Sequence, residues 1–166
     1  MQSSCSGNSP PRSSFFLSID KFFTLYLSSK GLAEAASHGE WATVKKQLTY
    51  GVNPNDLEGA DFSALRSASA HANYEIMVLL LEKGADPNLM PEKKRHSFHI
   101  LETPLHAAIK RRAMPAVRLL LLNQANPEVN DGLGRSVTKV AGWDWQENDK
   151  KILFEEYFLI SRKNCS

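Results

Sequence analysis

Cysteine is nearly absent from this 166-residue chain: Cys5 and Cys165 are its two cysteines, one near each end. That number and placement exclude a disulfide framework and a cysteine-based metal cluster, and they fit a reducing, cytoplasmic setting. Long apolar runs are missing too, since none approaches the roughly 18 residues needed to cross a bilayer. Charge of one sign is also in short supply. A formal balance of +2 is too small to argue for nucleic acid, so any basic surface must be local. No glycine-rich phosphate loop, paired-carboxylate motif or nucleophile elbow is found, so neither catalysis nor a cofactor is expected. What remains is ordinary for a soluble globular protein, with 42% apolar and 23% charged residues. The length suffices for one compact domain or a short solenoid.

The first 29 residues differ from the rest. Residues 1–14 are rich in serine, with Pro10-Pro11 and a single Arg12, a composition that cannot make a core and is expected to be disordered. Phe15, Ile19, Phe22 and Tyr26 then recur at spacings of four, three and four, which places them on one face of a helix over 15–29. Asp20 and Lys21 interrupt any would-be signal-peptide core, while the lack of an acid before Asp20 leaves an organelle transit segment open. The favoured expectation is a helix that caps the open end of a solenoid.

The repeat carries most of the information. Gly51-Val52-Asn53-Pro54-Asn55 returns 33 residues later as Gly84-Ala85-Asp86-Pro87-Asn88. Thr103-Pro104-Leu105-His106 falls on Ser136-Val137-Thr138-Lys139 at the same offset. Ser63-Ala64-Leu65-Arg66 precedes Thr103-Pro104-Leu105-His106 by 40, the same period with seven residues inserted. A period of 33 made of a turn and two short helices resembles the ankyrin-repeat family. The resemblance covers about Lys30 to Phe158, most of the chain. The best match is the stretch from Glu75 to Asn88, Glu-Ile-Met-Val-Leu-Leu-Leu-Glu-Lys-Gly-Ala-Asp-Pro-Asn. It implies an all-α repeat solenoid of stacked helix-turn-helix units with short β-turn fingers. The units are expected at 30–62 (degenerate), 63–102 (with an inserted basic loop), 103–135, and 136–166 (degenerate, with a C-terminal helix near Glu147 to Leu159). Atypical end units are expected where one side must face water or a cap.

Physical reasons support that register. Ser63 and Thr103 can N-cap helices, and Pro104 at the first helical position has no amide hydrogen to leave unpaired. Ala35, Ala36, Ala68 and Ala108 are small where helices must approach closely. Ile76, Leu79, Leu80, Leu119 and Leu120 sit at core spacing. Gly51 and Gly84 end helices where a left-handed residue is wanted, and Gln124 holds that place in the third unit at a cost on the order of 1 kcal/mol. Asn53, Asp86 and Asn126, each followed by proline, start turns.

In the family, a histidine in the Thr-Pro-Leu-His element bridges neighbouring turns, so the resemblance implies a structural role for His106. His96 and His99 are spaced for one metal, but two ligands make neither a closed nor a catalytic site, and no metal is expected. His38 and His71 align at the offset of 33 on the exposed ends of first helices, which suggests a binding surface. The resemblance further implies that variable exposed positions lie just before the Thr/Ser and just after the small pair. Those are Ser37 and His38; Phe62, Ala70 and His71; Glu102, Lys110 and Arg111; and Arg135, Trp143 and Asp144. The insertion carries a second candidate, the basic loop Lys93, Lys94, Arg95 and His96. It is expected to stay separate from Lys110-Arg111-Arg112, because a helix of about ten residues holds its two ends roughly 15 Å apart. The expected function is non-catalytic recognition of a protein partner, as an interaction module or adaptor, through the concave face made by turn tips and first helices, by a chain that is monomeric when unbound. Two alternatives stay open: a regulatory ankyrin fragment of a larger enzyme or channel, and an organelle-targeted or secreted effector.

Overall fold

The computed structural model describes residues 31–57, 62–91, 101–141, 151 and 155. The N-terminal segment and the capping helix expected over 15–29, the basic insertion with His99, Trp143 with Asp144, and all but two residues of the helix expected near Glu147 to Leu159 lie outside them. Among the described residues there are seven helices and no strands, as an all-α repeat solenoid requires: α1 over 31–38, α2 Trp41–Thr49, α3 Ala64–Ala70, α4 Tyr74–Glu82, α5 Pro104–Lys110, α6 Met114–Leu122 and α7 Val137–Ala141. Lys151 and Glu155 are also helical, and their exposed side chains pair one turn apart at 3.8 Å.

First helices pack on first helices, α3 on α5 and α5 on α7, and second helices on second helices, α2 on α4 and α4 on α6. Residue size explains how they come so close. Ala35, Ala68 and Ala108 are 5%, 0% and 0% exposed at equivalent places, and behind them Val44, Met77 and Val117 fill a continuous core. Leu80 and Leu120 are fully buried, whereas the first unit places Gln47 at their position, also buried. That polar substitution is one reason the first unit reads as worn.

The N-caps form as their residue types suggest. The Ser63 hydroxyl accepts from the Arg66 amide at 3.2 Å, and the Thr103 hydroxyl from the His106 amide. Each of the first three units turns twice through left-handed backbone. At the helix exits these residues are Gly51 (φ 89°), Gly84 (85°) and Gln124 (66°); between the helices they are Gly39 (77°), Ala72 (56°) and Arg112 (54°). The second set was hidden in the sequence, because alanine and arginine stand where the first unit has glycine.

The exit turns are laced together. Asn53, Asp86 and Asn126 each accept, through the side chain, from the amide two residues on, at 3.0, 2.8 and 2.9 Å. Asn55 then clamps the next unit, donating to the Gly84 carbonyl at 2.9 Å and accepting from the Asp86 amide at 2.7 Å. Asn88 repeats the clamp on Gln124 (3.1 Å) and Asn126 (2.7 Å). Glu128 occupies the next such position. At the inter-helix turns Asn73 reaches the Ala36 and Ser37 carbonyls at 2.7 and 3.1 Å, satisfying the open end of α1.

Candidate functional site

The ends of the first helices lie side by side in successive units. At that edge His38, His71 and Arg111 are equivalent residues, and all three are exposed. Lys110 is exposed beside Arg111, while Ser37 and Ala70 are half-buried. The two histidines also have a local task. The His38 Nδ1–H donates to the Glu34 carbonyl at 2.9 Å, and the His71 Nδ1–H to the Ser67 carbonyl at 3.0 Å. Each closes its own last turn, yet both residues stay exposed at the edge.

The positions just before the Thr/Ser are less open than their expected role. Phe62 and Arg135 are half-buried, and Glu102 is buried at 4% exposure, which corrects its placement on the outer surface. Arg66 explains why. It stands where the third unit has His106 and reaches into the next unit in the same way. The Arg66 guanidinium pairs with one Glu102 carboxylate oxygen and the Lys110 ammonium with the other. Arg66 also stacks on the Phe62 ring, 3.6 Å from its centroid. The signal in the sequence was the pair itself, an arginine at the histidine position and an acid immediately before Thr103-Pro104-Leu105-His106.

His106 bridges as expected of its element. It is fully buried, its Nε2–H donates to the Arg135 carbonyl at 3.1 Å, and its Nδ1 accepts from the Thr103 hydroxyl at 2.8 Å. Burial pulls its pKa below the ordinary histidine value, against the opposing hydrogen bond to Arg135 and the charges of Asp131 and Glu102. The ring is thus a neutral structural bolt. Arg135 is in turn tied to Asp131, whose carboxylate accepts from the Arg135 amide and Nε at 2.9 Å each and from the Leu133 amide at 2.9 Å. Burial alone would raise the Asp131 pKa, but those hydrogen bonds and the guanidinium charge outweigh it and hold the pKa below the usual value.

Two aromatic residues at this edge were not expected there. Trp41 and Tyr74 begin α2 and α4 at equivalent positions and are 41% and 45% exposed, with half-buried Met114 next in the row. The Lys45 ammonium lies 4.7 Å from the Trp41 ring centroid. Their offset of 33 was the available signal. Among the described residues no group of three or more His, Cys, Asp or Glu side chains could hold a metal, and no helix is long and apolar enough to cross a membrane.

The comparisons agree with this architecture. A family profile described as ankyrin repeats in three copies matches residues 32–131. Cyclin-dependent kinase inhibitor 2A of Monodelphis domestica is 31% identical over 108 residues, covering 65% of this chain and 59% of that protein. An ankyrin repeat protein of Fowlpox virus (strain NVSL) is 38% identical over 65 residues, covering 39% of this chain and 8% of the viral protein. The chain thus spans less than two thirds of either relative. From the profile match, the stacked helix pairs and the Thr-Pro-Leu-His bridge, this chain belongs to the ankyrin-repeat family, whose repeats are protein-interaction modules.

Proposed function

We propose that this chain is a non-catalytic adaptor, monomeric when unbound and acting in the cytoplasm, that holds a protein partner on the edge formed by its first-helix ends and inter-helix turns. One observation carries the reading. Successive units present His38, His71 and Arg111 in register on the surface, beyond the core that stacks the units. Large residues at such positions commonly supply most of an interface's free energy. In the repeat register Trp143 and Asp144 fall at the positions of Lys110 and Arg111. Because one relative is named as an inhibitor of a cyclin-dependent kinase, protein kinases are the first class of partner to try.

The test is affinity capture from the native source with the wild-type chain and with a His71→Ala/Arg111→Ala variant whose fold is checked by circular dichroism. The reading expects the variant to stay folded and to lose what the wild type retains. A folded variant that captures the same protein with unchanged affinity sinks it.

A further inference from the structure

We propose that residues 15–29 serve as an amphipathic helix for an anionic lipid surface, and not as a lid on the stack. This contact goes beyond the recognition edge and does not rest on it. Its first support lies among the described residues, at the open end of the first unit. Three positions are closed in the second and third units and more open in the first. Glu34 is exposed where Ser67 and Ala107 are 6% and 2% exposed. Thr43 is half-buried where Ile76 and Ala116 are each 2% exposed, and Lys46 is exposed where Leu79 and Leu119 pack against the core. A position that closes only when another unit comes before it faces that preceding unit. Glu34, Thr43 and Lys46 therefore mark the outer face of the stack.

A carboxylate, a hydroxyl and an ammonium in place of small and aliphatic side chains suit that face to water, as the terminal unit of a solenoid requires. A lid laid over it would take the Glu34 carboxylate and the Lys46 ammonium out of water, and neither has an ion pair among the described residues. The Lys46 ammonium stands instead 6.0 Å from the centroid of the Tyr50 ring, one turn on, which is itself 49% exposed. The sequence of 15–29 suits a different surface. At 3.6 residues per turn, Phe15, Phe16, Ile19, Phe22, Phe23 and Tyr26 fall within an arc of about 120°, with Lys21, Thr24 and Ser28 opposite. Aromatic bulk on one face, with a cation and hydroxyls on the other, is the pattern of a helix that lies in a bilayer interface. Arg12, Lys21 and Lys30 outnumber Asp20, so charge favours an anionic surface. A helix over these residues measures about 22 Å, long enough to lie in the interface and too short to cross a hydrocarbon core of about 30 Å.

The test is flotation of the full chain with phosphatidylcholine vesicles that contain or lack phosphatidylserine. The bound fraction is expected to be several-fold greater with phosphatidylserine, and to fall as salt rises from about 50 to about 300 mM. Phe15→Ser/Phe22→Ser is expected to lose binding to both kinds of vesicle, and Lys21→Glu to remove the preference for the anionic one. Deleting residues 1–29 is expected to abolish flotation while leaving the urea midpoint and the monomeric state unchanged. A lowered midpoint or self-association of the shortened chain would make the segment a lid and overturn the proposal. No flotation of the full chain, equal flotation with neutral vesicles, or flotation that survives the deletion overturns it as well. So does N-terminal sequencing that finds residues 1–29 removed from the protein in its native source, because the segment is then a targeting signal.

Discussion

Single residues set the turns, and their backbone angles can be tested directly. Gln124 sits at φ 66° where Gly51 and Gly84 sit at 89° and 85°. Gln124→Gly should therefore relieve strain and raise stability by several tenths to about 1 kcal/mol in urea unfolding, less the flexibility glycine adds to the unfolded chain. Gly84→Val should cost about 1–2 kcal/mol, since a Cβ at Gly84 would meet nothing within 4 Å and backbone strain alone opposes it. The helix exits were readable because glycine marks two of three. The inter-helix turns were not, because Ala72 and Arg112 pay no visible compositional tribute to their left-handed φ. His106 allows a pH prediction. Its folded-state pKa lies below the unfolded value, so the unfolded chain binds more protons and acid works against the fold. Its contribution is fully present above the unfolded value of about 6.5 and is lost as pH falls from there through the folded pKa. Asp131, also lowered, loses its contribution only below the ordinary aspartate range. Urea midpoints measured from pH 7 to 5 should fall for the wild type and fall less for His106→Asn. Equal slopes would mean that His106 is not the group that titrates.

Elements are joined by polar contacts that the core pattern does not reveal. Capping, alanine spacing and leucine periodicity were legible because each is local to one helix. The Arg66–Glu102–Lys110 cluster was not, because it joins two units across the insertion, and reading Glu102 by its place in the repeat put it on the outer surface. Comparing the two bridging positions, Arg66 and His106, would have recovered it. Glu102→Leu leaves Arg66 and Lys110 without their shared carboxylate. Their side chains are 17% and 35% exposed, so water softens the loss, and about 1–3 kcal/mol is expected. Adding Arg66→Met should recover much of that, because the uncompensated guanidinium is gone. A double-mutant cycle in urea should therefore show coupling, and simple additivity would mean that the pair is a surface contact of little consequence. The asparagine clamps were only half legible. Asn53, Asp86 and Asn126 advertise turns through the prolines that follow them, whereas the cross-unit roles of Asn55 and Asn88 emerge only when the turns stack.

At the scale of the molecule, stacking makes stability a matter of neighbours. Each unit buries its apolar face only against the next, so unfolding can begin at an end and stop at a strong interface. The second and third units share fully buried Leu80 and Leu120, the Asn88 clamp and the Arg66–Glu102 pair. The first unit has Gln47 at the leucine position, and it joins the second through Asn55, Asn73 and the shared core. Leu48→Ala and Leu80→Ala each remove one buried leucine, at about 2–5 kcal/mol apiece by cavity formation, yet they should act over different distances. Leu80 packs in the middle of the stack, so its loss should speed amide exchange in α2, α4 and α6 together. Leu48→Ala should speed exchange in α1 and α2 first and leave α5 and α6 near wild-type protection, because the interface beyond α4 is intact. Hydrogen exchange followed by mass spectrometry resolves these segments. If Leu48→Ala speeds exchange in α5 and α6 as much as in α2, the stack melts as one cooperative block. The proposed recognition edge would then lose its shape whenever the first unit opens. If protection holds, the part of the edge at His71 and Arg111 keeps its geometry while the first unit frays, and binding there should survive destabilisation of the first unit.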